Sequence, residues 1–150
     1  MPLIKNNRLV QDTWHIIYDG ETLKSTNNLV DLAYWQANRT ELITTHSPIG
    51  LRIDGNEDIE LIATDLQYFS LIAINFPSFT DGRGYSLAHT LREQYDYSHE
   101  LRAVGDILPD QALYLKRVGF DVLDLPNKES AELALQKLSE FSVFYQKPVA

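Results

Sequence analysis

The residues best suited to chemistry lie in one stretch near the middle of the chain, "FPSFTDGRGYSLAHTLR" (76–92). Arg83 stands there between two glycines, Gly82 and Gly84, where a helical pattern starts. Glycine allows close approach of a ligand to the backbone, and the first turn of a helix offers unpaired N–H groups. A guanidinium binds carboxylate, sulfate or phosphate through two hydrogen bonds. The stretch therefore predicts a binding site for a small oxyanion or an anionic cofactor in loop 78–86.

Polar residues from this loop and from the next one make up the predicted site. The two loops follow consecutive predicted strands, and the carboxyl ends of neighbouring parallel strands lie at the same edge of a sheet. In this hypothesis Arg92 adds a supporting charge and Gln111 forms a polar wall, whereas no catalytic residue is assigned. The predicted ligand-binding residues are Thr80, Asp81, Gly82, Arg83, Gly84, Ser86, Arg92, Asp106, Asp110 and Gln111.

A structural interpretation of the same loop stays open beside the functional one. Thr80 or Asp81 would cap the helix, the Asp–Gly pair would form the preceding turn, and Arg83 would pair with a nearby acid at the surface. The carboxylate of Asp81 also argues against an anion, because it places negative charge beside the site. In that case the loop would be a scaffold for contact with another protein. Its anchors would be the aromatic residues Phe76, Phe79 and Tyr85.

The same loop partly matches a motif for binding a dinucleotide cofactor. Gly82 and Gly84 match the start of the dinucleotide fingerprint G-x-G-x-x-G, and Asp106 is placed to bind a ribose. The third position holds Leu87, where close packing of helix on strand requires a small residue. NAD(P)H is therefore kept only as the cofactor of an alternative hypothesis. No metal site is predicted, because the chain has no cysteine and its four histidines share no ligand spacing.

Composition narrows the class of protein. The chain of 150 residues has 44% hydrophobic residues and a formal net charge of -8, which is typical of one globular domain over residues 1–150. An excess of acidic residues disfavours nucleic acid and anionic membrane surfaces as partners. The N-terminal residues lack the apolar core of a signal peptide, and no apolar run is long enough to span a bilayer. We expect a cytoplasmic protein, with a homo-oligomer left open.

Short strand patterns alternate with helical patterns along most of the chain. Strands are predicted at 29–33, 49–54, 70–76, 100–106 and 121–125, and helices at 34–46, 57–69, 83–95, 109–120 and 129–144, after an edge hairpin or strand at 8–20. Such alternation favours parallel strands. The expected fold is α/β, with about five β–α units forming a mainly parallel sheet flanked by helices. The alternative is a partial β/α barrel.

Three stretches carry a resemblance to a known family: "INFPSFTDGRGYSLAHTLR", "ELRAVGDILPDQALYLKRVGFD" and the closing "FSVFYQ". Over roughly residues 51–146 the chain resembles DUF934, a bacterial family of unknown function. The resemblance implies a link to assimilatory sulfite reduction, and some members are labelled probable oxidoreductases. Several relatives have a cysteine where this chain has Val118, which speaks against a thiol mechanism here. The positions that match the family are Phe79, Thr80, Asp81, Gly82, Arg83, Gly84, Ser86, Arg92, Arg102, Gly105, Asp106, Asp110, Gln111, Gly119 and Phe120.

Three functions follow from the residues and the resemblance together. The first is an accessory protein of bacterial sulfate and sulfite assimilation that binds a small oxyanion or an anionic cofactor at loop 78–86. The second is an NAD(P)-linked oxidoreductase component that acts with sulfite reductase. The third is a protein–protein scaffold without a ligand. Sulfite reductase or another protein of sulfur assimilation is the partner expected for the first two.

Overall fold

The computed structural model of the protein describes residues 2–45 and 47–145, with the backbone alone for residues 2 and 141–145. Residue 146, the last of the stretches that carry the family resemblance, lies outside the described residues.

An eight-stranded mixed sheet forms the centre of the molecule. Its strands are Pro2–Lys5 (β1), Arg8–Gln11 (β2), His15–Ile16 (β3), Asn28–Asp31 (β4), Ile49–Asp54 (β5), Phe69–Phe76 (β6), Glu100–Gly105 (β7) and Val122–Leu123 (β8). They lie in the order β2-β1-β8-β7-β6-β5-β4-β3. Strands β3 to β8 run parallel, each beside the next one in the chain, while β1 is antiparallel to both β2 and β8.

Helices connect the parallel strands from β4 onward and cover one face of the sheet. The α-helices are Leu32–Leu42 (α1), Arg83–Glu93 (α2), Ala112–Val118 (α3) and Lys128–Tyr145 (α4). Short 3-10 helices span Ile59–Leu61, Ala63–Tyr68 and Pro109–Gln111. The main core lies between these helices and the sheet, where Ile72, Ile74 and Phe76 of β6 meet Leu91 of α2. Their burial ties the central strand to the helix that follows it.

The chain connectivity explains why the sheet curls into a half-barrel. The edge strand β2 ends at Gln11, and β3 at the opposite edge begins at His15. Eight strands laid flat would span roughly 34 Å. The four residue steps from Gln11 to His15 reach at most about 14 Å. The two edges must therefore approach each other, which bends the sheet.

The segment that joins these edges packs against the face of the sheet opposite the main core. Trp14 contacts a small apolar cluster there. Asp12 forms an ion pair at 3.1 Å with Arg102, whose other partner is Glu100, also at 3.1 Å. Arg102 is only 4% exposed, so two carboxylates compensate its buried charge. The cluster under Trp14 consists of Leu29, Leu71, Ala73 and Val104.

The predicted fold of about five β–α units in a mainly parallel sheet was wrong. The sheet has eight strands, is mixed, and curls into a half-barrel. The physical reason lies in residues 2–16, which supply three strands of two to four residues and insert the antiparallel strand β1 beside β8. The curvature is nearer to the alternative, a partial β/α barrel.

The helix predicted over residues 57–69 was also wrong. Two 3-10 helices occupy this stretch, and Ile62 between them has φ -122° and ψ -8°, outside the helical region. A spacing of three residues between apolar side chains fits the three-residue turn of a 3-10 helix as well as it fits an α-helix. Asp65 then turns inward to accept hydrogen bonds from Trp35 and Arg39.

Candidate functional site

Arg83 and Asp81 pair with each other in the loop that follows β6. The guanidinium of Arg83 lies 2.6 Å from one carboxylate oxygen of Asp81 through Nη2, and Nε lies 3.0 Å from the other. The backbone N–H of Arg83 also donates to Asp81 at 3.0 Å. These hydrogen bonds lower the pKa of Asp81 to about 2 and raise the pKa of Arg83. The fork that the sequence assigned to a ligand is thus directed at a neighbour two residues away.

The two glycines of this loop serve different purposes. A Cβ on Gly84 would lie 2.5 Å from the ring of Phe76, so the first turn of α2 can rest on that ring only without a side chain. A Cβ on Gly82 would meet nothing within 4 Å. The turn after β5 also reaches this helix, because a Cβ on Gly55 would lie 2.6 Å from the backbone nitrogen of Gly84. The start of α2 is therefore covered by its own protein.

Arg92, at the other end of α2, is a structural tie. Its guanidinium donates five hydrogen bonds, two of them to the carbonyl of Gly119 and one each to the carbonyls of Tyr97 and His99 and the carboxylate of Asp121. Its donor–acceptor distances run from 2.6 to 3.0 Å. One side chain thereby joins α2 to the segments on both sides of β7, and its donors are already used.

Asp106 and Gln111 clamp the backbone of Phe79 from the neighbouring loop. The carboxylate of Asp106 accepts from the N–H of Phe79 at 3.1 Å, and the amide of Gln111 donates to its carbonyl at 2.8 Å. The amide oxygen of Gln111 also accepts from the N–H of Leu108 at 2.8 Å. Strands β6 and β7 are adjacent, so the prediction that their two loops are neighbours is confirmed.

An exposed apolar surface surrounds this clamp, and we call it the Phe79 surface: Phe79, Leu108 and Tyr114, exposed by 44%, 37% and 55%. Gln111 holds the backbones of the first two through its hydrogen bonds. Tyr114 lies against the ring of Tyr85, with 4.9 Å between the ring centres, and Tyr85 in turn contacts Phe76 at 5.2 Å. A row of rings thus connects the buried end of β6 with the solvent.

The remaining predicted residues lie apart from one another. Asp110 pairs with Lys137 of α4 at 3.0 Å. Thr80 exchanges a hydrogen bond of 2.9 Å with the hydroxyl of Ser78, and Ser86 is exposed on α2. Within the described ranges, no group of three or more His, Cys, Asp or Glu side chains is arranged to hold a metal ion. Whether any of the ten residues binds a ligand stays a prediction.

Sequence reasoning missed a second set of polar residues at the ends of β4, β5 and β6. Arg52 and Asp54 lie on β5 and contact the side chain of Asn75 on β6, the arginine as a donor at 3.4 Å and the aspartate as an acceptor at 2.9 Å. Asp31, the last residue of β4, pairs in register with Arg52. The signal that would have found them is the strand-end rule, applied to the strands at 29–33 and 49–54 as well.

These features define an α/β half-barrel protein in which a densely bonded loop after β6 presents an aromatic surface. The chain belongs to the family described as "Bacterial protein of unknown function (DUF934)", whose model matches residues 50–150, and the resemblance stated from the sequence is confirmed. Comparison with curated proteins and with solved structures finds no match. Among the helices in the described part of the chain, none is long and apolar enough to cross a membrane.

Proposed function

We propose that this protein is an accessory protein of bacterial sulfate and sulfite assimilation that acts through contact with a partner protein at the Phe79 surface. The observation that carries the proposal is the clamp on Phe79, whose backbone N–H and carbonyl are both bound by side chains of the next loop. The backbone that carries the ring is thereby fixed, so that less backbone freedom is lost on binding, which favours the use of Phe79 as an anchor. The sulfur-assimilation setting comes from the resemblance to DUF934.

The bonding of the loop supports a protein contact over a bound anion. An anion at Arg83 would have to displace Asp81 from four hydrogen bonds that Arg83 donates through its backbone and guanidinium. An anion at Arg92 would compete with the carbonyls of Tyr97, His99 and Gly119. Oxyanion binding at loop 78–86 and an NAD(P)-linked role remain predictions from the sequence, and no described contact favours either of them.

The test is direct binding between this protein and the assimilatory sulfite reductase of the same bacterium, measured by biolayer interferometry. We expect Phe79→Ala to weaken the complex by about tenfold or more, because anchor residues at interface centres contribute effects of this size. Tyr18→Ala is the matched control, since Tyr18 is also an exposed aromatic residue, at 62%, but lies outside the Phe79 surface. Wild-type protein that does not bind sulfite reductase, or equal losses in both variants, would overturn the proposal.

A further inference from the structure

We propose that a cavity of about 250 Å³ at the carboxyl ends of β4 and β5 binds a small zwitterion of α-amino-acid type. Its polar lining consists of Asp31, Arg52, Asp54 and Glu57. The carboxylate of the ligand would bind Arg52, and its ammonium group would bind the acidic side chains. This site is separate from the Phe79 surface, which lies on the loops after β6 and β7, and the inference does not depend on the proposed function.

The position of the cavity is the first argument. Asp31 and Arg52 are register partners on β4 and β5, and Asp54 lies two residues further along β5. Parallel strands of α/β proteins present ligand-binding residues at their carboxyl ends, where the chain leaves the sheet. The residue beside Arg52 on β6 is Ala73, which is small. The arginine therefore stands beside a short side chain at the edge where ligands of this fold class bind.

The hydrogen bonding around the cavity is the second argument. Arg52 donates to the side chain of Asn75 at 3.4 Å, which is long for a charged donor. One oxygen of Asp31 accepts from the N–H of Tyr34 at 2.7 Å, and one oxygen of Asp54 accepts from Asn75 at 2.9 Å. Each carboxylate thus keeps a second oxygen for a ligand, and the amide of Asn75 holds Arg52 and Asp54 at the same edge. This contrasts with Arg83 and Arg92, whose donors lie on short hydrogen bonds within the protein.

The balance of charge selects the ligand class. One guanidinium and three carboxylates line the cavity. A ligand with an anionic group alone would meet repulsion from the carboxylates, and one with an amine alone would make no bond to the arginine. A zwitterion satisfies both. The volume of about 250 Å³ lies below the range for drug-sized ligands, so the ligand has the size of a single amino acid.

The experiment follows backbone amides of Leu32 and Ala33 and the side-chain amide of Asn75 by ¹H–¹⁵N NMR during titration. The probes are L-alanine, L-lactate and ethylamine, which share a two-carbon frame and carry both charges, the anion only and the cation only. We expect saturable shifts with L-alanine, and binding at least about tenfold weaker for the other two. Shifts of equal affinity for lactate or ethylamine would overturn the assignment to a zwitterion, and absence of saturable shifts with L-alanine would overturn the site.

Two variants make the result specific to the cavity. Arg52→Gln removes the charge at an exposed position and should reduce L-alanine affinity by roughly tenfold or more. Arg8→Gln removes the same charge at an exposed position on β2 and should leave affinity unchanged. A thermal melt shows that each variant is folded. Unchanged affinity in Arg52→Gln, or equal loss in Arg8→Gln, would contradict the proposal.

Discussion

Two regions of this molecule hold arginines at or near the ends of parallel strands, and they use them in opposite ways. In the segment 76–92, Arg83 donates hydrogen bonds to Asp81, and Arg92 donates to backbone carbonyls of the protein. In the cavity at the ends of β4 and β5, Arg52 makes one long hydrogen bond to Asn75. The arginines of the first region are thus bound within the protein, whereas Arg52 in the second region has a single weak partner.

The difference shows that the requirements of a turn and of packing can by themselves produce a dense polar motif. Loop 78–86 must turn the chain from β6 into α2, rest the helix on Phe76 and fix Phe79 against the next loop. Each of these tasks requires a particular residue type, and together they produce the same composition as a binding loop. Charges that the fold does not use are a better indication of binding, because a paired charge must first be released.

Among the variants that test this contrast, Arg92→Met is expected to have the largest effect, which is a loss of stability. The variant keeps most of the aliphatic side chain but leaves the carbonyls of Tyr97, His99 and Gly119 without their charged donor. We expect the free energy of unfolding to fall by about 3 kcal/mol, which is the scale for breaking a partly buried charged network. Urea denaturation followed by circular dichroism measures it.

Arg8→Met is the control for this experiment, because Arg8 is exposed on the edge strand β2. A surface change of this kind should stay within about 0.5 kcal/mol. If Arg92→Met were as stable as the control, Arg92 would not be a structural tie, and its charge would be free to support a ligand as the sequence predicted. Of the two arginines in the segment 76–92, only Arg83 would then still differ from Arg52.

The next effect concerns the two glycines of the loop. Gly84→Ala places a methyl group 2.5 Å from the ring of Phe76 and should cost about 2 kcal/mol of unfolding free energy through overpacking. Gly82→Ala has open space and an ordinary φ of -83°, so it should be neutral or slightly stabilising. Thermal denaturation of both variants provides the comparison. Equal stabilities would mean that α2 does not rest on Phe76 as closely as described.

Much of the parallel part of the fold could be predicted from the sequence. The strand at 49–54 was placed at its observed bounds, and that at 70–76 within one residue, because buried parallel strands appear as continuous apolar runs. The strands β1, β2 and β3 have only two to four residues, too few to establish a period. The antiparallel pairing of β1 with β8 joins residues far apart in the chain, which no local pattern reports.

The adjacency of the two loops was predicted from the sequence, but their hydrogen bonding was not. Neighbouring loops after β6 and β7 follow from strand adjacency, and the clamp of Asp106 and Gln111 on Phe79 connects them. The partners of Arg92 could not be predicted, because they are backbone carbonyls that only the folded chain brings together. Arg52 was passed over because the strand-end rule was applied only to the later strands, although Arg52 also lies near the end of its strand.

The smallest effect expected is the pH response of Asp81. Its folded pKa of about 2 lies below its ordinary value, so the pair with Arg83 contributes stability above that ordinary value and loses it as pH falls through about 2. In Arg83→Gln the pKa of Asp81 should return toward its ordinary range. A carboxyl-detected NMR titration of both proteins measures the two pKa values. Wild-type Asp81 that titrates in its ordinary range would show that the pair does not persist in solution. Arg83 would then be available to an anion. The loop after β6 would in that case resemble the cavity at the ends of β4 and β5, and the contrast between the two regions would be lost.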